Sequence, residues 1–238
     1  MKKRMLRIAY LFPDEMSTYG DRGNIITLVQ RLQWRGFGAE VVEYRPGDAQ
    51  PHNIDMFFIG GGQDSGQRVI GSSILRLKPW LSEAIESGMP GLVICGGLQL
   101  LGQYFEMVSG DRVEGLGIFA LHTIGGAERL TGNVHVQSDT FGEVLGFENH
   151  SGRTYLDKPH QAMGRVVLGA GNNNEDGTEG ILHRHTMGTY LHGPVLPKNP
   201  VIADWLIAGA LGISSTELAQ LPDQFLAHAR AFSRRRPR

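Results

Sequence analysis

The run Gly91-Leu92-Val93-Ile94-Cys95-Gly96-Gly97-Leu98-Gln99-Leu100 constrains this chain more than any other. Three apolar residues lead straight into two glycines and then into helix-forming residues. The pattern is a strand passing through a turn too tight for ordinary side chains and into a helix. Cys95, the only cysteine, stands on that turn. A thiol there projects from the carboxyl end of a strand, while the helix N-terminus behind it offers unpaired N–H groups and a positive dipole end. Both favour the thiolate, which a free pKa of about 8.5 would otherwise hold to a few per cent at neutral pH. A lone cysteine is more often a small buried apolar residue. Here the glycine pair and the apolar run before it mark a nucleophile.

The flanking chain supplies a frame for that turn. Arg7 to Phe12 reads as a first strand, Asn24 to Gly36 as a helix with Ile25, Ile26, Leu28, Val29 and Leu32 on one face, and Ala39 to Tyr44 as a second strand: a βαβ unit. The polar loop Asp14 to Gly23 follows the first strand, so in a parallel sheet it shares a rim with Cys95. Ile54 to Ile59 is a continuous apolar strand that ends in Gly60-Gly61-Gly62-Gln63-Asp64. Three glycines there let backbone N–H groups face a ligand. The run lacks the lysine of a phosphate loop, and the chain carries no recognisable ATP site. A helix over Ser72 to Ser87, closed by Gly88 and Pro90, leads into the cysteine strand. Two parallel strands ending in glycine turns then bring the triple-glycine loop beside Cys95, and an oxyanion hole follows from the amide of Gly96 and one from Gly61 or Gly62. Losing one such donor typically costs about 2.7–4 kcal/mol of transition-state stabilisation.

From Gly110 the texture turns β-rich, with strands expected at Leu116 to Leu121, Arg129 to Val136, Glu143 to Glu148 and Gly164 to Leu168. Gly171 to Gly177 is a turn-rich surface loop. Thr186 to Leu191 is a strand ending at His192-Gly193-Pro194, Pro200 to Leu211 is a helix, and Leu218 to Phe232 a last helix before the basic tail Ser233 to Arg238, read as a solvated end. No linker or repeat divides the chain, so it counts as one α/β domain with a mostly parallel central sheet flanked by helices and a β-rich second half.

Composition excludes several classes of function. Of 238 residues, 23 are Lys or Arg and 24 Asp or Glu, a net charge of -1, so no broad field draws the protein to nucleic acid or an anionic membrane. One cysteine cannot form an internal disulfide, as suits a reducing cytoplasm. Arg7 and Pro13-Asp14-Glu15 break the apolar stretch after Met1-Lys2-Lys3-Arg4, against a secretion signal, and no run approaches the roughly 18 apolar residues of a membrane span.

A thiol nucleophile needs a proton-handling partner, usually histidine. Among nine histidines, His183 and His185 alternate along a strand and His150 sits in a polar turn, whereas His192 ends a strand at Gly-Pro, the same kind of position as Cys95.

Cys95-Gly96-Gly97-Leu98-Gln99, Gly60-Gly61-Gly62 and Tyr190-Leu191-His192-Gly193-Pro194 together resemble class I glutamine amidotransferase domains of the cobyric-acid-synthase-like branch. Within that branch the chain resembles GatD-type glutaminase subunits of lipid II isoglutaminyl synthase. The stretches Tyr19-Gly20-Asp21-Arg22-Gly23-Asn24, Arg129-Leu130-Thr131-Gly132, Ser138-Asp139-Thr140-Phe141-Gly142, Gly146-Phe147-Glu148-Asn149-His150 and Gly188 to Pro194 extend the likeness over residues 1–205, leaving 206–238 as a C-terminal helical extension with its basic tail.

The resemblance implies that Cys95 attacks the carboxamide of glutamine, that His192 handles the proton, and that water then hydrolyses a γ-glutamyl thioester. It makes Arg129 the residue that holds the substrate glutamine and Gln99 a supporting or substrate contact. Taken alone, Arg129 reads first as half of a salt bridge. Many class I amidotransferases carry a Glu two residues after the His; here that position is Pro194. The resemblance therefore implies a Cys–His pair whose third member comes from the partner, a MurT-type Mur-ligase-like subunit that would also carry ATP and Mg. No cofactor is expected in this chain. Within enzymes, a stand-alone cysteine amidohydrolase and an amidotransferase for another acceptor, such as a corrinoid carboxylate, compete with this reading. A non-catalytic binding module or a redox sensor with an exposed thiol is the alternative outside enzymes.

Overall fold

The structure, a computed structural model, describes residues 4–62, 64–158 and 161–235. In chain order its elements are β1 (Met5–Leu11), α1 (Arg22–Trp34), β2 (Gly38–Tyr44), β3 (Met56–Ile59), α2 (Asp64–Glu86), β4 (Gly91–Ile94), α3 (Gly96–Leu101), β5 (Tyr104–Glu106), β6 (Arg112–Glu114), β7 (Leu121–Ser138), β8 (Gly142–Leu156), β9 (Gly164–Leu168), β10 (Thr178–Glu179), β11 (Ile181–His183), β12 (Thr186–Thr189), α4 (Val195–Lys198), α5 (Pro200–Leu211) and α6 (Gln224–Arg234).

The central sheet runs β11-β12-β4-β3-β1-β2. Every neighbouring pair is parallel except β11 with β12. β3, β4 and β12 are buried at every position, as strands covered on both faces must be. The unbroken apolar runs of β3 and β4 are legible in the sequence for the same reason, whereas β12, Thr186-Met187-Gly188-Thr189, is buried with two threonines in it. The α/β class with a mostly parallel sheet and a β-rich second half is the architecture observed. That second half is a separate sheet, β10-β9-β7-β5-β6, with β8 paired to β7.

Four local expectations need correction. Arg129–Val136 and Glu143–Glu148 are the middles of one long hairpin, β7 of 18 residues and β8 of 15, with a register shift between Gly125 and Leu130. In β7 regular burial alternation sets in only near Leu130, so the earlier half carried no strand pattern. Leu116–Leu121 is not a strand. Leu116 donates to the carbonyl of Leu100 at 2.8 Å, and Ile118 and Phe119 donate to that of Leu101 at 3.0 and 2.9 Å. The segment thus satisfies the end of α3, whose last carbonyls have no intrahelical donors. α2 begins at Asp64, eight residues before the expected Ser72, because packing of Ile70 and Ile74 outweighs the low helix propensity of Gly66 and Gly71. α6 starts after Pro222, whose ring disfavours helical backbone at Leu221.

α5 crosses residue 205 unbroken, with Leu206 and Ile207 in the core. Beyond it, Arg31 of α1 bonds both Asp204 and Asp223, tying the C-terminal segment to the first helix. Arg230 and Arg234 converge on Glu143, so the basic end is partly neutralised on β8; residues 236–238 lie outside the described residues.

Candidate active site

Four adjacent parallel strands, β12, β4, β3 and β1, deliver their carboxyl ends to one rim. His192 follows β12, Cys95 follows β4, the glycine loop follows β3, and the turn carrying Asp21 follows β1. In an open parallel sheet this is the rim where ligands bind. The sequence expectation that Cys95, His192 and Gly60–Gly62 meet is met by geometry.

Cys95 adopts φ 48° and ψ −105°, a conformation that an L-residue keeps only when its surroundings impose it. Its amide donates to the carbonyl of Thr189 at 2.8 Å, and its own carbonyl accepts the amide of Gln99 at 3.0 Å. The sheet on one side and the first turn of α3 on the other thus clamp the residue. The amide of Gly96 lies in that first turn, where N–H groups have no intrahelical acceptor.

The vacancy expected beside His192 is filled from within the chain, which corrects the reading of an incomplete Cys–His pair. Asp21 is fully buried, and its Oδ1 lies 3.1 Å from His192 Nδ1. A carboxylate only accepts, so Nδ1 carries the proton and donates to Asp21, leaving Nε2 for chemistry. Nε2 is buried and makes no hydrogen bond among the described residues. Burial alone would lower the His192 pKa. The bond to Asp21, and the proximity and charge of Cys95, override it and push the pKa up to about 10. Pro194 has another use: its ring packs so closely on Gly23 that an added Cβ there would lie 2.5 Å from Pro194 Cγ. The orienting carboxylate enters from the opposite direction, 171 residues earlier in the chain.

The glycine loop serves a different end from the one expected. The amide of Gly61 donates to Asp21 Oδ2 at 2.7 Å, and its carbonyl accepts the amide of Thr18 at 2.9 Å. An amide committed to Asp21 is not an oxyanion donor, so Gly61 leaves that role. Its missing side chain is what matters: a Cβ on Gly61 would sit 2.7 Å from His192 Cε1 and 3.4 Å from Cys95 Cβ. At Gly60 a Cβ would collide with the carbonyl of Met16, and at Gly62 with the Met16 thioether. The glycines let the loop press onto the triad.

Arg129, in β7, bonds Asn149 through Oδ1 at 2.9 Å and through its carbonyl at 3.1 Å, and donates to the Tyr19 hydroxyl at 3.2 Å. No carboxylate lies within ion-pair distance of it among the described residues, so the salt-bridge reading does not hold. Its charge is held in place by neutral partners. Tyr19 in turn packs edge-on to the His192 ring, centroids 5.0 Å apart, and has φ 60°. Sequence reasoning missed both Tyr19 and Asp21. The available signal was an acidic residue between Gly20 and Gly23 in a loop after a parallel strand.

Gln99 turns into the interior. It is buried, and its Nε2 donates to the Tyr190 hydroxyl at 3.0 Å, which is also 2.6 Å from Thr154 Oγ1. There it braces Tyr190 on the wall behind Cys95. Tyr190 also stacks on His150, centroids 3.7 Å apart, so His150 lies buried in β8 rather than in a polar turn. Burial and then the nearby Cys95 charge push the Tyr190 hydroxyl pKa up, which keeps it neutral.

A thiol on a strained turn, an imidazole oriented by a carboxylate and helix amides alongside can carry out acyl transfer through a thioester. Among the described residues no cluster of three or more His, Cys, Asp or Glu is placed to hold a metal, and no helix is long and apolar enough to cross a membrane.

Comparison with known proteins points to the same chemistry. A profile of the CobB/CobQ-like glutamine amidotransferase domain matches residues 7–200. The GatD subunit of the glutamine-hydrolysing lipid II isoglutaminyl synthase of Staphylococcus aureus is 46% identical over 206 residues, 86% of this chain and 84% of that one. The corresponding subunit of Streptococcus pneumoniae is 38% identical over 220 residues, 91% of this chain and 85% of that one. A glutamine amidotransferase structure from Thermotoga maritima shares the fold at TM-score 0.53 and 14% identity, covering 95% of this chain and 92% of that one. The chain belongs to the CobB/CobQ-like glutamine amidotransferase family, on the branch of the GatD subunits of lipid II isoglutaminyl synthase.

Proposed function

We propose that the protein is the glutaminase subunit of a lipid II isoglutaminyl synthase, with Cys95 as nucleophile, His192 as acid and base, and Asp21 as the residue orienting His192. The observation that carries this reading is the bond from His192 Nδ1 to buried Asp21 in a chain that also holds Cys95 on a strained turn. Cys95 Sγ, as thiolate, attacks the side-chain carbonyl carbon of glutamine. The amide of Gly96, in the first turn of α3, receives the developing oxyanion. His192 Nε2–H protonates the departing nitrogen, so the C–N bond breaks, ammonia leaves and a γ-glutamyl thioester remains. Water then attacks the thioester, His192 takes its proton, and glutamate leaves as the thiolate is restored. Arg129 binds the α-carboxylate of glutamine, since a cation held by neutral groups gains most from a substrate anion.

The ammonia passes to a MurT-type, Mur-ligase-like partner in the cytoplasm. That subunit uses ATP and Mg to activate the D-glutamate carboxyl of lipid II and converts it to D-isoglutamine. Identity of 46% and 38% to subunits bearing the synthase name supports this acceptor over a corrinoid carboxylate. Replacing Cys95 by Ala should abolish glutamate release while the reconstituted complex still amidates lipid II with free ammonia. Persisting glutaminase activity would reject Cys95 as nucleophile, and a complex that amidates no lipid II from either nitrogen source would reject the acceptor.

A further inference from the structure

Glu179, at the end of β10, is fully buried and has no part in the steps above. Its Oε1 accepts the Thr189 hydroxyl at 2.5 Å and the Tyr190 amide at 2.9 Å, while Oε2 is buried without a hydrogen-bond partner among the described residues. Thr189 is the last residue of β12. Its hydroxyl oxygen accepts the Leu191 amide at 3.1 Å, and its carbonyl accepts the Cys95 amide at 2.8 Å. One carboxyl therefore grips Thr189 and Tyr190 directly and, through Thr189, Leu191 and the backbone of Cys95. A buried acid with an unpartnered oxygen is costly, and an apolar residue would fill the space without that cost.

We infer that Glu179 is a positioning residue of the glutaminase reaction, holding the end of β12 so that His192 and Cys95 keep their mutual placement. Burial, reinforced by the charge of Glu148 and opposed by the bonds from Thr189 and Tyr190, pushes the Glu179 pKa up to about 7. The other titratable groups of this wall are Glu148 itself, held ionised by the Ala170 and Gly171 amides, His150 at 3.9 Å from Glu148, and Tyr190. The grip therefore changes character near neutrality, between a neutral carboxyl and a carboxylate.

This inference rests on the glutaminase reading and is tested by steady-state glutamine hydrolysis with the full-length chain. Misplacement of reacting groups by a fraction of an ångström predicts that Glu179→Ala lowers kcat at least about tenfold, with KM for glutamine within about twofold. Glu179→Gln keeps Oε1 as acceptor and is neutral at every pH. It should restore kcat at pH 6 to within about threefold of wild type and abolish an inflection near pH 7 in the wild-type kcat profile. Should Glu179→Ala fail to fold, the Gln variant alone decides. A wild-type profile with no inflection there, or one that Glu179→Gln shares, overturns the inference, as does a folded Ala variant with wild-type kcat. A wild-type chain without glutaminase activity both alone and with its partner would instead overturn the reading beneath it.

Discussion

Replacing Asp21 by Asn tests the triad at its least anticipated member. His192 rises from an ordinary value of 6.5 to about 10, which at about 1.4 kcal/mol per unit corresponds to roughly 5 kcal/mol of preference for the imidazolium, shared between Asp21 and Cys95. Asn can still accept the Gly61 amide through its oxygen, so the loop need not move. Its NH2 then faces Nδ1, which must become the acceptor, and the ring proton shifts to Nε2 on a neutral imidazole. The base is lost and burial now opposes charging. Asn at the acidic position of a Ser–His–Asp triad costs about 10⁴ in kcat, and a loss of about 10³–10⁴ is expected here. Glutamate release gives kcat, and the rate of Cys95 alkylation by iodoacetamide at about pH 7 gives the reactivity of the thiol, which should fall in the variant. Stability supplies a separate check. A pKa raised on folding stabilises fully below about 6.5 and ceases to do so as pH passes 10. Asp21→Asn should therefore lower Tm most near pH 6 and least near pH 10. A folded variant within tenfold of wild-type kcat and with unchanged alkylation would refute the assignment of Asp21.

Other substitutions probe the remaining contacts. Gly61→Ala places a methyl 2.7 Å from His192 Cε1, and displacement of the ring should cost about 10²-fold in kcat with little change in alkylation-independent folding signals such as circular dichroism. Wild-type turnover in that variant would mean that the loop yields instead of the ring. Arg129→Ala should raise KM for glutamine by about 10–100-fold, the worth of one charged hydrogen-bonding group, and Arg129→Lys should recover only part of it. Equal KM values in all three proteins would remove Arg129 from the substrate site. Because Asp21 lies within the chain, the isolated protein should release glutamate without its partner; turnover seen only in the complex would show that another element completes the site.

Cys95 was legible because its signal is local: three apolar residues, a nucleophile and two glycines occupy adjacent positions. His192 was legible for a similar reason, standing just after the strand Thr186–Thr189 and directly before Gly193-Pro194. Asp21 was not, since an acidic residue in a polar loop is ordinary until β1 and β12 are known to flank β3 and β4. Gly61 shows the limit of reading a glycine by type. Its presence signalled close approach, and the expected partner was a ligand, whereas the structure places His192 and Asp21 there. Gln99 looked available because it follows Cys95 by one helical turn, but α3 turns that face inward to Tyr190.

What the sequence alone determined about this protein is therefore the set of buried strands, the strained turn at Cys95 and the kind of chemistry a thiol there performs, because each depends on residues a few positions apart. Tertiary structure decided the partnerships: which carboxylate orients His192, which amide is spent on Asp21, and which neutral groups hold Arg129. Those depend on the order of strands in the sheet, and a pairing across 171 residues leaves no mark in either local pattern.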